Sequence, residues 1–292
     1  MAQIREIKKR MVAVGTIQRI TKTMQMIATA KFTAAVQRAK ATQPYTQKIR
    51  ELVAAVCSDP SEVENPLAGG SNRKTNKELV LVISSDRGLC GAYNGHILRV
   101  SKKLVRERQA AGVDVQVETS GRKAGAFFKF EQIPVAAQHD IGDKPEYEAV
   151  AAIADRFMDE YVSGEFDMVH VVYMRFISNS RQEAEVMQLL PLQPPTHENE
   201  EESNSTKISY EFTPDEEALL NDLLPRSVRT ALFQAYNDGA VSEQIMRMIA
   251  MKSATDNAGS LGRTLKRDFN RARQAKITTE LTEIVSGAAA LE

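Results

Sequence analysis

The distribution of proline is the feature of this sequence that most constrains its fold. Nine of the ten prolines lie from residue 60 to residue 225, only Pro44 precedes them, and none follows. Proline ends or kinks helices, so the two ends favour long helices and the middle favours short elements. Helices of such length, at 1.5 Å per residue, exceed the roughly 30 Å width of a small domain. The sequence therefore predicts a long helix over residues 1–59, a central domain over 60–212, and further helices over 213–292, mainly one long helix.

The amino-terminal segment has an apolar stripe of helical spacing. Its steps of three and four residues predict one helix of about 55 residues, with a kink at Pro44. The spacing slips at Ile17, where two steps of three follow each other, and such a slip overwinds a coiled coil locally. The stripe consists of Ile4, Ile7, Met11, Val14, Ile17, Ile20, Met24 and Ile27.

The carboxyl-terminal segment predicts a second long helix. Thr213-Pro214-Asp215-Glu216 is a capping box that begins a short helix, and Pro225 is expected to separate it from the long one. The first long helix enters the middle by its carboxyl end and the last leaves it by its amino end, so we expect an antiparallel pair. The apolar face of the last helix includes Val241, Ile245, Met248, Leu261, Leu265, Ile277, Leu281, Ile284, Ala288 and Leu291.

The middle of the chain alternates between strand and helix patterns. The continuous apolar run Leu79–Ile83 is typical of a strand that is covered on both faces. Such alternation indicates an α/β layered domain. The remaining predicted elements are helices at 96–111, 123–130 and 146–162 and strands at 113–117, 168–177 and 185–190.

Composition and charge exclude several classes of protein. The 38 basic and 38 acidic residues balance, Trp is absent and aromatics make up only 6%, which disfavours a nucleic-acid binder and a stacking pocket. Cys57 and Cys90 are interpreted as free thiols. Residues 1–60 nevertheless carry 11 basic and 3 acidic side chains. Cations line both long helices, which predicts a rod that contacts a partner along its length; they are Lys8, Lys9, Arg10, Arg19, Lys22, Lys31, Arg247, Lys252, Arg263, Lys266, Arg267, Arg271 and Arg273.

The best candidate for a ligand site is the loop Asp86–Gly95, since it follows a buried strand and opens a helix, where amides can hold phosphate. It lacks the glycine spacing of both common phosphate-binding loops, so a turn eased by glycine is the favoured interpretation. His96, His139, His170 and His197 have no ligand spacing, and no catalytic motif accompanies them. We therefore expect no cofactor, no metal and no catalytic residue.

Four stretches resemble the gamma-subunit family of the F-type rotary ATP synthase. They are IQRITKTMQMIATAK (17–31), DRGLCGAYN (86–94), SEQIMRMIAMKSATDN (242–257) and RQAKITTELTEIVSGAAA (273–290). The resemblance implies an antiparallel two-helix coiled coil formed by the chain ends and a central α/β Rossmann-like domain. It implies a rotor shaft inside a hexamer of alpha and beta subunits, contacting the epsilon subunit and the membrane c-ring, as a non-catalytic peripheral protein on the cytoplasmic face of a bacterial plasma membrane.

The resemblance also implies roles for individual residues. Arg273 and Gln274 match the pair that meets a beta-subunit catch loop. The small, apolar stretch Val285–Leu291 suits a tip that turns in an apolar sleeve. The partner of the acidic segment Glu198–Glu202 is not identified. Residues that match positions coupling rotation to catalysis are Met24, Arg247, Thr278 and Glu280.

Two alternatives from other classes remain open at this point. One is a nucleotide-binding enzyme that uses Asp86–Gly95 and dimerises through its helices. The other is a coiled-coil tether that only scaffolds its partners.

Overall fold

The computed structural model describes residues 2–56, 66–67, 75–192 and 216–289, and these hold five helices and five strands. The long terminal helices and the alternating middle confirm the predicted fold class. The helices are α1 (Ala2–Val56), α2 (Tyr93–Ala110), α3 (Arg122–Phe130), α4 (Tyr147–Val162) and α5 (Glu216–Ala289). The strands are β1 (Lys77–Ile83), β2 (Asp114–Ser120), β3 (Val135–His139), β4 (Met168–Phe176) and β5 (Gln182–Leu190).

The five strands form one sheet in the order β3-β2-β1-β4-β5. β1 pairs in parallel with β2 and β4, and β2 pairs in parallel with β3. β5 runs antiparallel to β4 at one edge. The chain moves outward from β1 to β3 and then returns to the other side of β1, so the strand order reverses between β1 and β4.

Helices cover both faces of the sheet. Leu79 and Leu81 point into a core shared with α4 and with the part of α5 from Leu224 to Tyr236, while Val80 and Val82 point into a core shared with α2 and α3. All four side chains are fully buried. Burial on both faces explains why the strand reads as a continuous apolar run.

Strand β3 was not predicted from the sequence. Its alternate residues are exposed, its core-facing residues are only half-buried, and it lies at the edge of the sheet. A short run with two alanines has little apolar periodicity, so pairing with β2 decides its conformation.

The prediction that Pro225 separates two helices is wrong, because α5 continues through it. Leu224, Val228 and Leu232 recur every four residues around the proline and are fully buried. Burying three such side chains contributes about 1.5–3 kcal/mol each, which exceeds the roughly 3 kcal/mol cost of an internal proline. Residues 213–215 of the predicted capping box lie outside the described residues.

The contacts divide the chain into two compact units. The helical unit comprises residues 1–30 and 247–292, and the α/β unit comprises residues 31–246. The predicted boundaries at 59/60 and 212/213 follow helix ends rather than contacts and stay a prediction. In the described part of the chain, no helix combines the length and apolarity that crossing a membrane requires.

Candidate partner interface on the helical unit

Within the helical unit, α1 and α5 pack antiparallel. Thr255 Oγ1 donates a 2.8 Å hydrogen bond to Thr21 Oγ1. A Cβ placed on Gly259 would lie 2.9 Å from Nε2 of Gln18, and one on Gly262 would lie 3.9 Å from Val14 Cγ1. Residue numbers fall along α1 as they rise along α5, which confirms the predicted antiparallel pair.

The seam between the two helices follows a heptad spacing. On α5, the less exposed positions recur in alternating steps of four and three residues. This is the spacing of a coiled-coil seam, with glycine, alanine and threonine at the closest approach. These positions are Met251, Thr255, Ala258, Gly262, Leu265, Phe269, Ala272 and Lys276.

On α1, the buried face departs from the predicted apolar stripe after Val14. The seam continues at Thr21 and Ala28, which are buried, whereas the isoleucines of the stripe are about half exposed. The predicted slip is wrong, since burial returns at Thr21 and Ala28, each seven residues after the previous seam position, although Gln18 between Val14 and Thr21 is exposed. The exposed isoleucines, with 51–53% of each residue accessible, are Ile17, Ile20 and Ile27.

The carboxyl-terminal part of α5 extends past the start of α1. The pairings 21 with 255 and 14 with 262 place Ile4 opposite Ala272, so α5 beyond about residue 275 has no α1 backbone beside it. The large apolar side chains of this part of α5 are exposed: Ile277, Leu281, Ile284 and Val285.

The sequence-predicted contact residues on this segment all lie on exposed surface. Arg273 and Glu280 share a helical row with Ile277 and Ile284, while Gln274 and Thr278 share the adjoining row with Leu281 and Val285. Lys276 Nζ forms an ion pair with Glu280 Oε1 at a distance of 3.2 Å. The segment therefore alternates apolar and polar groups, which suits contact with a surface of mixed character.

The other two predicted contact residues differ from these. Met24 is half-buried. Arg247 is only 9% exposed, whereas the other cations grouped with it in the sequence are exposed. The helical spacing of the sequence groups Arg247 with the cations that follow it. In the structure, however, α5 is mostly buried up to Arg247 and becomes mostly exposed after it.

Exposed cations continue along α5 next to this segment. Arg263, Lys266, Arg267 and Arg271 are exposed, and Asp256 and Asp268 are exposed among them. Arg263 donates to Ser260 Oγ at 3.1 Å and Arg267 to Thr264 Oγ1 at 3.4 Å, which are neutral acceptors. This surface can hold partner carboxylates.

The loop Asp86–Gly95 opens α2, whose N-cap residue Ala92 makes no side-chain hydrogen bond to that helix. The loop also lies beside the start of α3, where the amides are engaged by the chain itself. At the start of α3, Arg122 N donates to Asp86 Oδ1 at 3.0 Å, Lys123 N to Ser85 O at 3.1 Å and Ala124 N to Ser84 Oγ at 2.9 Å. A phosphate at this helix start would have to displace a carboxylate. The geometry disfavours phosphate binding there.

The crevice at the carboxyl ends of β1 and β4, where sheets of this topology usually bind ligands, is filled by α5. A Cβ on Gly239 would lie 3.6 Å from Ile83 Cγ2, and Ser242 Oγ donates to Met174 O at 3.3 Å. The remaining cavity is about 30 Å³. Ligand pockets typically measure about 300–1,000 Å³.

His139 and His170 each lie beside a buried glutamate, Glu118 and Glu78 respectively. His139 Nε2 is 2.7 Å from Oε2 of Glu118, which also accepts from Arg156. Burial alone would raise the pKa of Glu118, but hydrogen bonds from His139 and Arg156 together lower it below the usual glutamate value. No group of three or more His, Cys, Asp or Glu that could hold a metal occurs among the described residues.

Comparisons with known proteins cover the whole length of the chain. A family model described as ATP synthase matches residues 3–291. The ATP synthase gamma chain of Rhodopirellula baltica is 39% identical over 296 residues, and that of Polaromonas naphthalenivorans is 38% identical over 292 residues, each with 100% of both chains covered.

Solved structures share the fold at low identity. A chain of the Euglena gracilis mitochondrial ATP synthase matches with a TM-score of 0.65 and 19% identity, covering 99% of this chain and 95% of that chain. A chain from the central stalk and c-ring structure of the Tetrahymena thermophila enzyme matches with a TM-score of 0.57 and 22% identity, covering 80% and 99%. With relatives this similar over their full length, the chain belongs to the ATP synthase gamma-chain family.

Proposed function

We propose that this chain is the central rotor shaft of an F-type ATP synthase, which couples proton-driven rotation of the membrane c-ring to conformational cycling of catalytic beta subunits. The observation that carries the proposal is the carboxyl-terminal part of α5. Among the described residues, α1 does not extend beside it, and it exposes Ile277, Leu281 and Ile284. Exposed apolar rows of this kind mark a surface that contacts another protein.

The surrounding surface is a hexamer of alpha and beta subunits. Apolar contacts have no fixed direction, so the two adjoining apolar rows of this helix can slide past the walls of a sleeve without a deep energy minimum. Arg273 and Gln274 supply directional contacts that form only in some orientations, since a guanidinium presents a rigid fork of donors to a carboxylate. In this proposal, the apolar side chains of the segment allow rotation, whereas Arg273 and Gln274 make the contacts that depend on orientation.

The same proposal places the α/β unit toward the epsilon subunit and the c-ring. The chain is then a peripheral subunit on the cytoplasmic face of the energy-coupling membrane, and the nucleotide and the catalytic residues belong to its partners. The filled crevice at the carboxyl ends of β1 and β4 supports a non-catalytic role. Calorimetry of the purified chain against ATP distinguishes this role from the nucleotide-binding alternative, because the shaft role requires no binding.

The experiment that tests the proposal replaces Arg273 and Gln274 together by Ala in a complex reconstituted with alpha and beta subunits. Both side chains are exposed, so stability should change by less than about 0.5 kcal/mol while steady-state ATP hydrolysis slows. Arg273→Lys should restore at most part of the rate, since an ammonium lacks the fork. Subunit content is checked by gel.

A matched control removes a cation and an amide elsewhere on the surface. Lys103→Ala with Gln109→Ala changes exposed positions of α2 and should leave hydrolysis unchanged. A fully assembled Arg273→Ala/Gln274→Ala complex that hydrolyses ATP at the wild-type rate would remove these residues from the catch contact. It would also leave a passive tether as the better description.

A further inference from the structure

The helical unit contains a hydrogen-bonded pair of hydroxyls that no sequence motif indicated. Thr255 Oγ1 donates to Thr21 Oγ1 at 2.8 Å, and Thr21 Oγ1 donates to Gln18 O at 3.1 Å. Thr21 is only 9% exposed. A short chain of hydrogen bonds thus crosses the seam between α1 and α5.

This polar contact replaces an apolar one that the sequence could provide. Ile17, Ile20 and Ile27 each precede by one residue a position of the α1 seam, namely Gln18, Thr21 and Ala28. Overwinding α1 by one residue just after Val14, about 100°, would keep the apolar positions before it in the seam, bring the isoleucines into the seam and turn Thr21 out. Apolar burial alone favours that second rotation.

The observed rotation is the one in which the hydroxyls meet. Turning α1 would separate Thr21 from Thr255 and would move Gln18 away from Gly259, where the two helices approach closely. A polar pair at a seam position specifies the orientation and register of a coiled coil because alternative packings cannot satisfy it.

We infer that the Thr21–Thr255 pair is a positioning device that holds α1 in the rotation that turns Ile17, Ile20 and Ile27 outward. The inference concerns the geometry of the chain and goes beyond the proposed rotor function. The pair decides which side chains the helical unit presents to a partner. Neither threonine touches a partner itself in this account.

Alanine and serine substitutions together isolate the interhelical bond. Thr255 Oγ1 lies 2.8 Å from Met251 O of the same helix and can donate there, and Thr21 can donate to Gln18 O. Removing either hydroxyl therefore leaves the other with a local acceptor. Alanine and serine both lack the methyl group of threonine and differ only in the hydroxyl, so their difference reports hydrogen bonding rather than packing.

The test measures the rotation of α1 by disulfide trapping in the full-length chain, with Cys57→Ser and Cys90→Ser removing the native thiols. The first reporter pair is Gln18→Cys with Gly259→Cys, which face each other in the observed rotation. The second is Ile17→Cys with Gly259→Cys, which face each other only after α1 turns. Circular dichroism verifies that each variant is helical.

With both threonines present, we expect the first pair to oxidise readily and the second poorly. Thr21→Ala with Thr255→Ala should raise the yield of the second pair about fivefold above that of Thr21→Ser with Thr255→Ser, the ratio that corresponds to losing one net hydrogen bond. The serine variant should keep the original pattern. The single alanine and serine variants give the same comparison should a double variant fail to fold.

Two results would overturn the inference. One is an unchanged trapping pattern in the alanine variants, and the other is a serine variant that shifts as much as the alanine variant. The readout needs neither ATP nor a partner subunit. Failure of the rotor proposal would therefore leave this measurement unaffected, and the two failures can be told apart.

Discussion

The α/β unit and the helical unit use apolar side chains in opposite ways. In the α/β unit, the strand residues Leu79 to Val82 are completely buried between two layers of helices. Of the sixteen large apolar side chains that are well exposed among the described residues, eleven belong to the helical unit. The α/β unit satisfies its own hydrophobic surface, whereas the helical unit leaves much of its surface for another protein to cover.

The largest expected effect tests how tightly the α/β unit is packed. Gly121 has φ +91°, and a Cβ there would lie 2.2 Å from the backbone oxygen of Ser84. Backbone cannot move aside, so Gly121→Ala should cost more than about 4 kcal/mol and unfold this unit. Urea denaturation followed by tyrosine fluorescence measures the loss.

Gly112→Ala is the matched control for Gly121→Ala. Gly112 has a similar φ of +81°, but its Cβ would meet no atom within 4 Å. Only conformational strain remains, which costs about 1–2 kcal/mol. If both variants lose the same free energy of unfolding, the close contact between residue 121 and the Ser84 backbone does not contribute to the effect of Gly121→Ala.

A second prediction concerns the pH dependence of the α/β unit. Burial, and then the positive charge of Arg108, lower the pKa of His170 from 6.5 to about 4. The unfolded chain binds a proton at higher pH than the folded chain, so stability falls as pH drops from 6.5 toward 4. This group alone should remove about 2 kcal/mol between pH 7 and pH 5.

Urea denaturation at pH 7 and pH 5 measures this change, with His170→Gln as the comparison. The Gln variant cannot titrate and should lose about 2 kcal/mol less than the wild type over the same pH interval. If the stability of the wild type and that of the Gln variant depend on pH in the same way, the pKa of His170 does not differ between the folded and the unfolded chain.

The third prediction concerns the surface that the helical unit presents. Met24→Lys adds a charge to a half-buried position on α1, which can create an interaction of about 1 kcal/mol with a partner that must be broken on each turn. ATP hydrolysis by the reconstituted complex should be largely retained while proton pumping falls. Met26→Lys serves as the control, because Met26 is 63% exposed on another row of the same helix. If an intact complex loses hydrolysis and pumping equally, Met24 is not one of the residues that couple rotation to catalysis.

The smallest expected effect is at a glycine of the helical unit. A Cβ on Gly259 would meet the flexible end of Gln18 rather than backbone. Movement of Gln18 relieves the contact, and alanine gains about 1 kcal/mol of helix propensity, so the net change should stay below about 1 kcal/mol. A loss as large as that of Gly121→Ala in the same urea titration would contradict the contrast between the two units.

The sequence predicts those elements whose residues follow one period without competition. The buried run of β1 and the proline-free course of α5 are examples. β3 is missing from the prediction because Val135-Ala136-Ala137 gives no clear period, and pairing with β2 determines its conformation. The predicted helix break at Pro225 is wrong because the burial of core side chains on both sides of the proline outweighs its low helix propensity.

The candidate interface shows a second limit of sequence reasoning. Family resemblance, not periodicity, indicated Arg273 and Gln274, and the structure describes them as exposed without showing what they contact. The isoleucines at 17, 20 and 27 looked like seam residues because hydrophobicity was the only criterion. Close approach at Gly259 and a hydroxyl pair decide the rotation instead, and both depend on the other helix.

The carboxylate of Asp86 at the start of α3 has a consequence for the proposed role. A helix start of this kind attracts phosphate, and in a machine that makes and hydrolyses ATP the local concentration of phosphate groups is high. By placing its own negative charge there, the chain occupies the position that a phosphate would take at this helix start. A shaft that works among nucleotide sites is thereby expected not to bind their phosphate groups at α3, so that a change in nucleotide level leaves this part of the fold unaltered.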